Sequence, residues 1–396
     1  FVFFVQAEDG IRDLVRSRGL GDVYKRQYQP DGKIIFAGNF ISFNGSPRNY
    51  IGRLHSNGSL DTTFNPEYSA NGIIYSVSLQ NDGKIIIGGD FYSFSGSPNN
   101  HIARLNTNGT LDTTFHIGSG INGPVYSCLI QPDGKIIIAG YYMNPTYPEE
   151  SDIYLEVIRL NFDMSLDSNF NNTGYYRTKI DGNNCRVMDV LFTDEGKIIC
   201  AGYGKGDSSD ISFLFQLNND GSLDSSFGTA GEWLSLDTTT VYFRKLALHD
   251  GNIYVTGEIV NTPVNTELLI MGFDSKGIPL HDFGINGLMI SKNTNKADVG
   301  FDIAIQDDGK IVIGAGFAVG YSASTMAVMR ILPNGIDTST LELVTNTTIQ
   351  IYPNPIQAFS FNLILNLAIS GDINVCLLYT SPSPRDRTRS RMPSSA

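Results

Sequence analysis

The triplet Asp-Gly-Lys begins at Asp31, Asp82 and Asp133, each 51 residues after the one before, and this period narrows the possible folds more than any other feature. Glu195-Gly196-Lys197, Asp250-Gly251-Asn252 and Asp308-Gly309-Lys310 continue the series at longer intervals. A second signature follows the triplet. It runs from Arg53 to Phe64, recurs nearly letter for letter from Arg104 to Phe115, and keeps its Leu-Asp-x-x-Phe ending in Arg159 to Phe170 and Gln216 to Phe227. The fifth copy is degenerate around Phe273 to Phe283, and the sixth stops at Asn334-Gly335-Ile336-Asp337 without the closing Phe. A fixed period of this size is the mark of a repeat architecture, in which each unit buries its faces against its neighbours.

Each copy predicts four short strands. Ile74 to Leu79 alternates apolar and polar residues, as a half-buried strand does, while Lys84-Ile-Ile-Ile-Gly88 is a β-branched run suited to cover on both faces. Asp82-Gly83 between them accepts the positive φ angles of a two-residue hairpin turn. Asn108-Gly109 invites the same turn between a third strand, Ile102 to Asn106, and a fourth starting near Leu111. Four antiparallel strands per unit is the pattern of a propeller blade. The expected fold is therefore all-β: a β-propeller over residues 28–337, with about six visible four-stranded blades and seven as the alternative for a whole ring.

The recurring pattern Val-x-Ser-x-x-Leu-Gln-x-Asp-Gly-Lys-Ile-Ile-Ile-x-Gly, followed by Ala-Arg-Leu-Asn-x-x-Gly-x-Leu-Asp-x-x-Phe, resembles the delta-60 repeat, a β-propeller family. That family is known mainly from bacterial surface and exported proteins, and the resemblance transfers no catalytic residue. After a polar linker at 338–348, Ile349-Gln-Ile-Tyr352-Pro353-Asn354-Pro355 and Phe361-Asn-Leu363-Ile-Leu365 resemble the start of a type IX secretion C-terminal sorting domain, truncated at Val375. This implies the beginning of a small C-terminal β-sandwich, secretion machinery as a partner, and a secreted location or the outer-membrane surface of a Gram-negative bacterium.

Both ends read differently from the rest. Residues 1–27 and 376–396 are basic and patternless, with Arg12, Arg16, Arg18, Lys25 and Arg26 in one and Arg385, Arg387, Arg389 and Arg391 in the other. Asp22 to Gln27 and Cys376 to Ser381 can be encoded by opposite strands of one nucleotide word, so both segments resemble translated sequencing adapters and stand outside the functional argument. The whole chain carries 28 basic against 40 acidic groups, a net charge of −12, which argues against nucleic acid as a partner. No apolar run is long enough to span a bilayer.

Residues that could carry chemistry are scattered. His55, His101, His116, His249 and His281 lie on five parts of the chain without metal-ligand spacing, and His55 and His101 are expected to be structural. Cys128, Cys185 and Cys200 are expected as buried free thiols, with Leu191 opposite Cys200. Asp61, Asp112, Asp167 and Asp224 occupy equivalent sites. Calcium is the cofactor they suggest, but no copy supplies the clustered ligands a hard cation needs, and one turn-capping Asp per copy explains them. No metal site, cofactor or catalytic residue is assigned. A secreted binding module is the favoured reading, with a propeller hydrolase acting on polysaccharide as the alternative.

Loop lengths place the partner. Turns one–two and three–four share one end of each blade and are short, whereas connections two–three and four–one carry the longer loops Phe91 to Asn100, Tyr141 to Asp152 and Ile117 to Gly123. Recognition usually lives on such loops. Tyr141, Tyr142, Tyr147 and Tyr321 are the candidate ligand-binding residues for an extracellular glycan or protein. The competing expectation is that the first aromatics after strand two, Phe40, Phe91, Tyr141, Tyr203 and Phe317, pack between blades.

Overall fold

The computed structural model describes residues 23–331, apart from 44–45, 115–120, 146–151, 181, 206–209, 236–238, 263–264, 292–297, 307–308 and 320–322, together with 349–353, 361–365 and 374–375. Residues 1–22, the linker and 376–396 lie outside this set, as do Tyr147 and Tyr321.

Six antiparallel sheets follow one another along the chain. The first contains Val23–Tyr28, Ile34–Gly38 and Ile51–Leu54, and the second Ile73–Leu79, Ile85–Asp90 and Ile102–Leu105. The third contains Val125–Ile130, Ile136–Met143, Ile153–Leu160 and Tyr175–Thr178. Cys185–Phe192, Ile198–Gly204, Ile211–Leu217 and Glu232–Leu234 make the fourth, and Thr240–His249, Asn252–Thr262, Asn265–Phe273 and Leu288–Ser291 the fifth. The sixth has Asp298–Ile305, Ile311–Val319 and Ala323–Ile331. First strands of consecutive sheets contact one another, so they are the inner strands of propeller blades. The backbone of residues 23–27, set apart above as adapter-like, occupies the first-strand slot of blade one. A separate three-stranded sheet joins Ile349–Pro353, Phe361–Leu365 and Asn374–Val375. No helix among the described residues is long and apolar enough to cross a membrane.

Strand two explains the β-branched runs. Ile85 and Ile87 enter the core shared with blade one, while Ile86 enters the core shared with blade three. Blade three repeats this, with Ile136 and Ile138 facing blade two and Ile137 and Ala139 facing blade four. A strand sandwiched between blades needs apolar side chains on both faces, each fully buried Ile contributing roughly 1.5–3 kcal/mol.

The turns differ in detail from expectation. The Gly83 amide donates to Gln80 O and the Gln80 amide to Lys84 O, and only Gly83 takes positive φ, at +83°. This is a type I turn closed by a left-handed glycine, a three-residue loop. Asn106 to Thr110 repeats it. Among these turns the two-residue form occurs at Asp250-Gly251, where both φ values are positive and His249 pairs with Asn252.

Strand four also departs from expectation. Leu111 and its counterparts Leu60, Leu166 and Leu223 make single bridges to strand three, and the proper fourth strands of blades three to five begin later, as at Tyr175. The Leu-Asp-x-x-Phe segment is an excursion between bridge and strand, so the turn end of the blade is not closed by short turns alone.

That excursion is a clamp between blades. Asp112 Oδ2 accepts from Arg104 Nε at 2.7 Å and from Lys84 of the triplet at 2.8 Å, while Oδ1 caps Thr114 N at 3.0 Å. Asp61, Asp167 and Asp224 repeat the cap, and each is paired with its own triplet lysine. Arg53 reaches over to Thr107 O of the next blade at 2.6 Å, and the Asn65 amide donates to Asn108 O at 2.8 Å. Phe64 packs against the Gly109 turn, where φ is +89° and a Cβ would sit 3.0 Å from the ring. Phe170 on Gly221 and Phe227 on Gly277 repeat the contact.

These aspartates make stability depend on acid. Burial pushes the Asp61 and Asp112 carboxyls up, but the threonine hydrogen bonds and the Arg and Lys partners outweigh it and hold both far below the usual range. The Lys197 and Ser226 hydrogen bonds bring Asp224 down to about 2. Depressed carboxylates stabilise fully above their unfolded value of about 3.9 and lose that contribution as pH falls through the folded value. The melting temperature is therefore expected to hold above about pH 5 and to fall steeply between about pH 4 and 2. A flat profile down to pH 2 would contradict the clamp.

Candidate functional site: an aromatic and arginine cluster around the inner strands

Every first strand carries a bulge at the same place. The register shifts at Tyr24, Tyr75, Tyr126, Met188, Arg244 and Phe301, near the end where the long loops emerge. A bulge re-aims the extra side chain out of the ladder. Tyr75 and Tyr126, on neighbouring blades, bring their ring centroids to 5.1 Å, and the Arg244 guanidinium lies 5.8 Å from the Phe301 ring.

Arg186 stands at the centre of this arrangement. It is the second residue of the first strand of blade four, opposite Tyr203, and its guanidinium is 5.4 Å from the Tyr203 ring and 5.4 Å from that of Tyr141 of blade three. Tyr141 lies 6.0 Å from Tyr126, whose phenol interacts electrostatically with Arg186. Tyr203 meets Tyr242 of blade five edge-on at 4.6 Å, and the Tyr242 hydroxyl donates to Asp210 at 2.7 Å. Burial, reinforced by Asp90 and the neighbouring tyrosines, lifts Tyr75 to about 12. Burial drives Tyr126 higher still, against the opposing pull of Arg186. Burial disfavours the charged Arg186, but the tyrosine oxygens outweigh it and keep the guanidinium protonated. At neutral pH the cluster presents one cation and several phenol O–H groups.

One residue beyond each bulge lies a second polar layer. Buried Asp189 accepts from Ser127 Oγ of blade three at 2.7 Å and from Lys245 Nζ of blade five at 3.1 Å, tying three blades together. Ser76 accepts from the Cys128 amide at 2.9 Å. Among the described residues no group of three or more His, Cys, Asp or Glu could hold a metal ion.

The predicted residues separate. Tyr141 joins the cluster. Tyr142 turns instead to the outer strands, with the Arg177 guanidinium 3.4 Å from its ring centroid and Tyr154 at 6.3 Å. Tyr147 and Tyr321 fall outside the described residues. Phe91 is buried in the core shared by blades one and two and Phe40 in a cluster of blade-one residues, but Tyr141 and Tyr203 occupy the register of Asp90, one residue earlier, and do not share the Phe91 environment. His101 is buried beside Tyr92 at 4.9 Å, with burial lowering its pKa, and His55 stays half exposed near Asp61. Cys128, Cys185 and Cys200 are free and buried, and the three-residue turn between Thr193 and Lys197 sets Val190 rather than Leu191 opposite Cys200.

Arg186, Tyr75, Tyr126, Tyr242 and Asp210 were not singled out from the sequence. A signal existed: Tyr24, Tyr75, Tyr126, Met188 and Phe301 each stand seven residues before their triplet.

Five stretches, 29–64, 80–115, 131–170, 195–227 and 306–338, match the family described as "Domain of unknown function (DUF5122) beta-propeller". No curated protein matches the chain. A protein of unknown function from Dyadobacter fermentans shares the fold with a TM-score of 0.51 at 9% identity, over 81% of this chain and 98% of that one. Weaker likenesses include the polysaccharide lyase Uly1, with a TM-score of 0.47, 9% identity and 94% and 92% coverage. A gluconolactonase of Xanthomonas campestris gives 0.36, 13% identity and 78% and 93% coverage. At such identities the likeness concerns the fold. With the repeat matches and the six sheets together, the chain is a repeat β-propeller.

Proposed function

We propose that this propeller is an extracellular binding module that takes a glycan or protein at its long-loop end, in line with the delta-60 resemblance. The observation that carries the reading is the convergence of Tyr75, Tyr126, Tyr141, Tyr203 and Tyr242 around Arg186, drawn from four blades at one end of the inner strands. Half-buried tyrosines combine apolar faces with hydroxyls, a pairing suited to sugar rings and to protein surfaces. The repeated Arg, Lys and Asp residues are engaged in the clamp at the other end, which directs recognition to the long-loop side. The sheet at 349–375, read as a truncated sorting domain, supports export by the type IX route to the outside of a Gram-negative cell.

The test is a glycan array and a surface-protein pull-down with the wild type and a Tyr126→Ala, Tyr203→Ala double variant. Wild-type binding to at least one class, weakened at least tenfold in the variant, is expected. Binding that survives both substitutions moves the site elsewhere.

A further inference from the structure

We infer that the ligand is a sugar bearing an acidic substituent, held by Arg186 together with the tyrosine hydroxyls around it. The inference rests on the binding reading above and narrows its ligand class.

Arg186 differs from the clamp arginines, from Arg177 on an outer strand and from Arg244 on the inner strand of blade five. Arg53, Arg104, Arg159, Arg177 and Arg244 are each engaged by a carboxylate, from Asp61, Asp112, Asp167, Glu156 and Glu258 respectively. Arg186 has no carboxylate within ion-pair distance among the described residues, and its Nε is buried without a hydrogen-bond partner. In a chain with 40 acidic residues, a partly buried guanidinium bounded by aromatic rings leaves an anion's place open.

The surrounding groups suit that anion. Burial raises the Tyr126 phenol, so it keeps its proton at neutral pH and its O–H can donate to an acceptor beside the guanidinium. The acids that act on the cluster's tyrosines have other neighbours: Asp210 accepts from Tyr242, Glu258 is engaged by Arg244, and Asp90 lies 3.8 Å from His101 Nδ1. Charge-assisted bonds from guanidinium and phenol to an acidic oxygen are the stronger kind, and the flanking tyrosine faces accept the sugar ring. The shared chemistry covers carboxylate and sulfate groups, so the probes must separate them.

The experiment is calorimetric titration of the full chain with oligogalacturonate, with its fully methyl-esterified form, and with κ-carrageenan oligosaccharides that carry sulfate alone. Wild type, Arg186→Met and Arg186→Lys are compared, with thermal melts confirming that each variant folds. The expected result is binding of at least one acidic probe, with Arg186→Met losing at least tenfold and Arg186→Lys an intermediate amount. Preference for oligogalacturonate over its ester assigns a carboxylate, and preference for carrageenan assigns a sulfate. Equal binding of ester and acid, or unchanged affinity in folded Arg186→Met, overturns the acidic-sugar inference while the binding reading stands. Failure of all three probes overturns the inference. If array and pull-down are also blank, the binding reading falls with it.

Discussion

Asp112→Ala is expected to remove about 3–5 kcal/mol of folding stability, the usual consequence of leaving a buried charge without its partner. The Asp112 side chain is 5% exposed and that of Arg104 7%, so water cannot take over the lost interaction. The substitution strands the Arg104 guanidinium, releases Lys84 and uncaps the turn at Thr114 in one step. Asp112→Asn keeps an oxygen to cap Thr114 and should cost less, and Lys84→Met, on a more exposed side chain, about 1 kcal/mol or below. An Arg104→Met, Asp112→Leu pair should recover much of the loss, because replacing both members of a buried pair is far cheaper than removing one. Urea unfolding reads all four. A loss under 1 kcal/mol for Asp112→Ala would mean that its carboxylate does not hold Arg104, Lys84 and the Thr114 turn together.

Phe64→Ala is expected to cost about 3–5 kcal/mol, through lost burial and the cavity left behind. Its ring is fully buried, lies under the Arg53 guanidinium at 4.8 Å, and fills the notch at Gly109 of the next blade. Because the contact joins two blades, the variant should also speed amide exchange at the 106–110 turn, a local effect that a cavity within one blade would not produce. A midpoint shift without any change at that turn would place the Phe64 contact within its own blade.

The repeat made the architecture legible. Period, strand patterning and paired turns lead to a propeller without reference to any side-chain contact, since Ile85, Ile86 and Ile87 can be satisfied only between two neighbours. The clamp was half legible: the turn-capping role of Asp112 follows from its position, but its union with Lys84 and Arg104 does not, because the three meet only when the sheet forms. The axial cluster was the least legible part. Tyr75 and Tyr126 sit at bulges, which leave no turn signal in the sequence, and Arg186, Tyr141, Tyr203 and Tyr242 meet them only when neighbouring blades pack. The three-residue turn between Thr193 and Lys197 moved the partner of Cys200 from Leu191 to Val190, and Tyr141 stands at the register of Asp90, one residue before that of Phe91.

The division of labour between a clamping turn end and a binding long-loop end is tested most directly by amide hydrogen exchange of the full chain, with and without a saturating glycan or protein found by array or pull-down. The predicted result is added protection at 73–76, 124–127, 185–188 and 240–244, with the turns at 80–84, 106–110 and 131–135 unchanged. Protection confined to those turns, with the inner-strand segments untouched, would contradict it.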